Sequence, residues 1–296
     1  MSRFAFVAAE RANHAVARLC RAVGASVSGF YTWLRAIPAV HARAEAEAEL
    51  RGHIGRIFAT RRVYGSPRVH AELGREGRRH ARRRVARLMR EMGLAARQGR
   101  RRTPRTTDSR HALPVAPNLL GRRVAAERPD AVWLADISYL PTGEGWLYLA
   151  AVEDMATREI VGWSMADHLR AGLCVDALVM ALQRRRPPEG LIHHSDRGVQ
   201  YAAEPYRRVL ERHGAKQSMS RRGNCLDNAP MESFFASLKK EHVHQARFRT
   251  REEAKAAVFD YVEIFYNRRR LHSALGYRTP VEARTGTEGI TMRAAA

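Results

Sequence analysis

Three carboxylates and one lysine stand where their types and spacing suit chemistry. Asp136 lies inside an apolar strand pattern, VWLADISYL (132–140). Asp196 sits in a Ser-Asp-Arg-Gly turn directly after a short apolar run, LIHHS (191–195). Glu232 falls in the first turn of a predicted helix, NAPMESFFASLKKEHVH (228–244), and thirty-five residues separate it from Asp196. A lone Asp in an apolar strand is costly unless it is paired or binds a cation. Three carboxylates gathered in one place repel, which raises at least one pKa unless divalent cations neutralise them. Mg²⁺ suits such a set, because it takes oxygen ligands and keeps waters for substrate phosphates. Two ions about 3.5–4 Å apart can activate a nucleophile and stabilise a leaving oxygen in an in-line phosphoryl displacement. Lys239 is seven residues after Glu232, two helical turns on, so it shares a face with the glutamate and can hold a phosphate there. Each residue also has a plainer reading: an edge-strand charge for Asp136, a turn residue for Asp196, a helix-dipole partner for Glu232. Asp154 and Asp227 compete as well, the first closing a strand and the second suited, like Asn228, to cap the helix.

The elements that must position these groups follow from periodicity. VWLADISYL, WLYLAAVED (146–154) and EIVGWSMADH (159–168) are joined by short turns and predict an antiparallel meander. AGLCVDALVMALQRRR (171–186) predicts a helix ended by Pro187 and Pro188. LIHHS is a short buried strand, AAEPYRRVLERHG (202–214) a helix and KQSMS (216–220) a brief strand. After the Glu232 helix, one long helix is predicted from the Thr250 cap to near Gly276. The order β-β-β-α-β-α-β-α-α predicts a mixed sheet with helices on its faces.

The first part of the chain differs in kind. Residues 1–128 carry 28 Arg, no Lys and nine acidic residues, a net of +19, whereas residues 129–296 carry a net of only +3. A polyanion is the partner this asymmetry fits, since each phosphate neutralised by Arg releases condensed counterions. Residues 14–35 read as helix, Gly24 turn, helix, with Ser26 as cap, a pattern shared by helix-turn-helix motifs and simple helical hairpins. A second helical unit follows, with Leu50, Ile54 and Ile57 on one face and Pro67 in the first turn of its second helix. Its third helix, HARRRVARLMREMGL (80–94), turns Val85, Leu88, Met89 and Met92 inward. Arg82, Arg83, Arg84, Arg87 and Arg90 lie on its other faces, where guanidinium groups suit phosphates and guanine edges in a major groove. Residues beyond Leu94 are rich in Arg, Thr and Pro without periodicity and read as a linker.

Cys20, Cys174 and Cys225 are scattered, so no disulfide framework or zinc ribbon follows. No apolar run approaches the about 20 residues needed to span a bilayer, and the N-terminus lacks the apolar centre of a signal peptide. The expectation is a cytoplasmic, nucleoid-associated protein with no membrane contact.

Taken together, WLADISYL (133–140), HSDRGVQY (194–201), SMSRRGNCLDNAPMESFFASLK (218–239) and YNRRRLHSALGYRTPVEA (266–283) resemble the catalytic core of IS-three (IS3) family insertion-sequence transposases, the OrfB reading frame. RLCRAVGASVSGFYTWL (18–34), YGSPRV (64–69) and RRVARLMREMGL (83–94) resemble the upstream part of OrfB proteins, so the likeness covers nearly the whole chain. It implies a ribonuclease-H-like α/β core, a mixed five-stranded sheet with flanking helices, preceded by all-α helix-turn-helix regions. It implies Asp136, Asp196 and Glu232 as catalytic metal ligands for Mg²⁺ or Mn²⁺, two ions in all. Lys239, Arg221, Arg222 and Asn224 are assigned to DNA contact alongside the five arginines of 82–90. The activity implied is cleavage at the element ends to expose 3′-OH groups, followed by their attack on a target phosphodiester. The partners implied are double-stranded DNA, further copies of the chain, and OrfA or an OrfA–OrfB fusion. The alternative is a non-catalytic DNA-binding regulator. The expected division is 1–45 helix-turn-helix-like, 46–95 helical DNA-binding, 96–128 basic linker, 129–285 catalytic core and 286–296 disordered tail.

Overall fold

The computed structural model describes residues 1–96, 113–121, 126–221 and 228–286. The chain forms two compact units, Met1–Ala95 and Ala96–Ala296. Arg222 and Asn224, most of the segment read as linker, and all but Gly286 of the expected tail lie outside the described residues.

The first unit is helical: α1 (Arg3–Glu10), α2 (Val16–Ala22), α3 (Val27–Thr60), α4 (Ser66–Arg75) and α5 (Arg82–Glu91). Ser26 caps α3 as the sequence predicts, its Oγ accepting from the Gly29 N–H at 3.0 Å. α3 runs unbroken through positions 45 and 46, where the sequence reading sets a boundary. Ala, Glu and Arg dominate residues 42–51, all strong helix formers, and nothing there stops a helix. Its first half packs with α1 and α2 around Val7, Leu19, Cys20 and Phe30. Its second half buries Leu50, Ile54 and Ile57 beside α4 and α5, which bury Val69, Leu73, Val85, Leu88 and Met89.

The second unit holds β1 (Val132–Thr142), β2 (Gly145–Asp154), β3 (Ile160–Ala166), β4 (Ile192–Ser195) and β5 (Lys216–Met219) in one sheet of order β3-β2-β1-β4-β5. β1, β2 and β3 are antiparallel, and β4 and β5 run parallel to β1. The helices are α6 (Ala171–Arg185), α7 (Val199–Ala202), α8 (Glu204–Arg212), α9 (Ala229–Glu241), α10 (Arg251–Phe259) and α11 (Pro280–Thr285). Alternation along β1 divides the core. Trp133 and Ala135 pack among α6 and α8 residues such as Leu178 and Tyr206, whereas Val132 and Leu134 pack with Phe234, Leu238 and Val258 from α9 and α10. A side chain at Gly162 would meet the Ala177 carbonyl at 2.2 Å, so glycine lets β3 lie hard against α6. Leu120 is buried in the α9-side core and the Leu119 N–H donates to Ser218 Oγ at 2.9 Å, so this part of the segment read as linker packs on the sheet.

The predicted long C-terminal helix is interrupted. α10 ends at Phe259 and a π-helical turn covers Asp260–Tyr266. The wider turn brings Tyr261, Val262 and Tyr266 inward together and aims Asn267 at the sheet. Asn267 Nδ2 donates to the Ile160 carbonyl at 3.0 Å and its Oδ1 accepts from the Ile160 N–H at 2.9 Å, closing the start of the edge strand β3.

Glu153 is fully buried with Arg158 3.5 Å away as its ion-pair partner, and burial pushes its pKa up to about 8. Folded Glu153 thus keeps a proton that the unfolded chain releases near 4.5, so its contribution to stability is lost as pH rises towards 8. His193, held neutral by burial with a pKa of about 3, acts only below its ordinary 6.5. Between pH 6.5 and 8, in chelator, chemical denaturation is expected to show falling stability, by up to about 1.4 kcal/mol per pH unit for each such proton. Glu153→Gln should make that slope shallower; equal slopes would contradict this role.

Candidate active site

Strand register brings the first two carboxylates together. Ala135 on β1 pairs with Ser195 on β4, so Asp136 and Asp196 are the next residues along two neighbouring parallel strands. β4 ends at Ser195 while β1 continues, paired only with β2, which opens a notch beside Asp136 at the C-terminal end of β4. α/β folds place ligand groups at such strand ends. Asp136 shares the alternation of Val132 and Leu134, which pack on the α9 side. Asp196 Oδ1 accepts from the Gly198 N–H at 2.9 Å, which fixes the turn, and Asp136 Oδ1 accepts from the Ile137 N–H at 2.8 Å. Beneath them His194 bridges the hydroxyls of Ser218 and Ser220 at 2.8 and 2.9 Å, tying β4 to β5.

α9 supplies the rest. Met231, Phe234, Phe235 and Leu238 form its buried stripe, which leaves Glu232 exposed and Lys239 half-buried on another face. The helix is pinned at both ends. Asn228 at its N-terminus makes no side-chain cap; its Nδ2 instead reaches the Ala135 carbonyl at 3.3 Å, one residue before Asp136. Its other suggested cap, Asp227, lies outside the described residues. Near the C-terminus, the buried Arg270 donates to Glu241 at 2.7 and 2.8 Å and to Ser237 Oγ at 3.0 Å, and Tyr261 also donates to Glu241.

The electrostatics centre on Asp136. Burial, then the charge of Asp196 and, more weakly, Glu232 raise its carboxyl to about 8, against the Ile137 hydrogen bond and Lys239. Burial also raises Glu232 and lowers Lys239, whose ammonium lies over the Tyr139 ring at 5.1 Å and feels the charge of Asp136. Among the described residues, no three His, Cys, Asp or Glu side chains stand close enough to enclose one ion as they are. The donor set is nonetheless all carboxylate oxygen, and the raised Asp136 is the group a divalent cation would relieve most, which fits Mg²⁺ or Mn²⁺.

Of the other predicted contact residues, Arg221 is exposed at the end of β5. In the first unit, Arg87 is engaged with Glu47 at 2.8 Å and Glu91 at 2.7 Å, and Arg84 lies 3.9 Å from Glu47, whereas Arg82, Arg83 and Arg90 are exposed. Asn228 and Arg270 escape sequence reasoning as site residues. Both lie within stretches that carry the family likeness, but only the tertiary contacts reveal that they hold α9.

An integrase core domain family model matches residues 126–225 and a second integrase core domain model matches 232–287; an HTH-like domain model matches 45–102. The chain is 46% identical over 266 residues to the insertion element IS600 uncharacterized 31 kDa protein of Shigella sonnei, spanning 90% of this chain and 97% of that one. It is 39% identical over 279 residues to transposase InsF for insertion sequence IS3A of Escherichia coli K12, spanning 94% and 96%. The chain belongs to the IS3 family of insertion-sequence transposases. This family assignment makes DNA transposition its function and its α/β unit an integrase core of the polynucleotidyl-transferase class, with a ribonuclease-H-like fold. Among solved structures, the simian T-cell lymphotropic virus intasome in complex with PP2A regulatory subunit B56 gamma aligns with TM-score 0.46 at 12% identity, covering 73% of this chain and 70% of that one. The HTLV-2 integrase catalytic core domain in complex with magnesium aligns at 0.41 and 13%, covering 53% and 98%. No helix among the described residues of this IS3-family chain is long and apolar enough to cross a membrane.

Arg270 is expected to be indispensable to the clamp on α9. Arg270→Ala breaks the pair with the nearly buried Glu241, which keeps Tyr261 as a donor, and urea denaturation should register a loss of roughly 3 kcal/mol, the lower end for breaking a buried pair. A loss below about 1 kcal/mol, the range of an exposed pair, would mean that the clamp is not what holds the helix.

Proposed function

We propose that Asp136, Asp196 and Glu232 are the metal ligands and catalytic carboxylates of a Mg²⁺- or Mn²⁺-dependent strand-transfer site. The observation that carries this reading is the Ala135–Ser195 register, which sets two carboxylates side by side, Asp136 on the face that α9 covers. Two bound ions would supply nucleophile activation and leaving-group stabilisation. The three carboxylates hold the charge that neutralises those ions, and the exposed Glu232 adjusts as substrate enters. Lys239, half-buried with its Nζ over the Tyr139 ring, binds a phosphate oxygen next to the reacting one. The attacking oxygen is that of water in cleavage and a DNA 3′-hydroxyl in joining. In each case a P–O bond forms in line with the one that breaks, and the departing 3′ oxygen takes up a proton.

The basic first unit also binds DNA. Arg82, Arg83 and Arg90 on α5 are exposed and meet phosphates or guanine edges, and Arg221, exposed after β5, is assigned to DNA contact together with Arg222 and Asn224. The chain works as a multimer on paired element ends, with OrfA or an OrfA–OrfB fusion as further partner.

Two measurements test this. On a pre-cleaved element end with Mg²⁺, Asp136→Asn, Asp196→Asn and Glu232→Gln should each abolish strand transfer while DNA binding survives. Full activity in any one of them would remove that residue from the ligand set, and activity unchanged without divalent cation would overturn the metal dependence. Separately, replacing Arg82, Arg83 and Arg90 by Ala should weaken DNA binding and lower the slope of log K against log salt by about 0.9 for each phosphate left unneutralised. A slope identical to wild type would place the DNA elsewhere.

A further inference from the structure

The HTH-like match begins at residue 45, yet the residues before it build a helix-turn-helix of their own. α2 is followed by the turn 23–26 and then by α3, with Gly24 left-handed at φ 65°. A short turn with glycine in this conformation is what such a motif needs to redirect the second helix. The pair is packed, not splayed. Leu19 and Cys20 of α2 and Phe30 of α3 close on Val7 of α1, and Phe4 lies 5.8 Å from Trp33. A side chain at Gly29 would stand 3.2 Å from the Phe4 ring, so α1 and α3 touch there.

What the packing leaves outside is one face of α3. Val27, Ser28, Tyr31, Thr32 and Arg35 are all exposed, at the i, i+1, i+4, i+5 and i+8 spacing of a single helical face. Tyr31 is 46% exposed and Val27 39%, large for an aromatic and an apolar group beside a packed core. The face offers two hydroxyls, a phenol and a guanidinium, and no carboxylate. Its surroundings are cationic: residues 1–44 hold six Arg and one acidic residue, Glu10, and Arg11, Arg18 and Arg21 are exposed. Hydroxyls and Arg read base edges and phosphates, and Val27 suits a thymine methyl.

We propose that this face of α3, centred on Ser28, Tyr31, Thr32 and Arg35, is a second reader of double-stranded DNA, seated in a major groove and distinct from α5. α3 continues, with Pro38 inside it, over about 50 Å into the HTH-like domain, where its far half is core. The two readers are therefore arms of one body, and the recognised sequence has two blocks at fixed spacing. The proposal rests on DNA binding by this transposase, not on the assignment of the carboxylates.

The test is selection from random-sequence duplexes by the full chain, followed by affinity for the selected consensus. Wild type should enrich two sequence blocks. The double variant Tyr31→Ala/Arg35→Ala and the single variant Thr32→Glu should each enrich only one block and bind the wild-type consensus about tenfold or more weakly. Their thermal melting should be unchanged, because the substituted groups are exposed. Retention of both blocks and full affinity in both variants would overturn the proposal. So would a change of oligomeric state with both blocks retained, which would make the face a contact between copies of the chain. Failure of the catalytic assignment would register in strand transfer alone and leave this binding assay untouched.

Discussion

The second unit is organised against electrostatic repulsion at the end of two parallel strands. Asp136 is buried enough to lift its carboxyl to about 8, and the neighbouring charges of Asp196 and Glu232 push the same way. Two like charges 4 Å apart repel by about 1 kcal/mol in water and about 4 kcal/mol near a protein surface. A fold that keeps such groups close must secure them through contacts that do not involve the charges themselves. Here those contacts are the two-sided core of the sheet, the His194 bridge between β4 and β5, and the clamps on α9 at Asn228 and Arg270. The repulsion concentrates where a cation would relieve it.

The same physics explains the division of the chain. The integrase core is nearly neutral, at +3 over residues 129–296, so its own field does little to collect a polyanion. The preceding residues carry +19 and supply that attraction. Part of the basic surface is consumed internally, since Arg87 and Arg51 pair with Glu47 and Glu91, which leaves a smaller and more specific set of exposed guanidinium groups. The positive charge thus lies mostly ahead of the strands that carry Asp136 and Asp196.

Much of this is legible in the sequence because local patterns encode it. The apolar, β-branched and aromatic run around Asp136 predicts β1, and the i, i+3, i+4, i+7 stripe from Met231 to Leu238 predicts α9. Ser26 and Thr250 signal helix starts that the structure confirms by hydrogen bonds. What local pattern cannot encode is who meets whom. The Ala135–Ser195 register, and with it the adjacency of Asp136 and Asp196, depends on which strands pair. Asn228 looks like a cap in sequence, but the proximity of β1 diverts its amide to the Ala135 carbonyl. The π-helical turn at Asp260–Tyr266 answers a tertiary demand, the seating of Asn267 on β3, that no helix propensity contains. The continuity of α3 is hidden for the opposite reason: two adjacent packing units share one helix, which runs through Pro38 and the helix-forming residues 42–51.

The joint role of the three carboxylates is tested most directly by titrating Mn²⁺ into the DNA-free chain and counting bound ion by electron paramagnetic resonance. Wild type should hold Mn²⁺ in competition with Mg²⁺, and Asp136→Asn and Asp196→Asn should each lose that binding, with Glu232→Gln weakening it. Binding that persists unchanged in all three variants would contradict a metal site built from Asp136, Asp196 and Glu232.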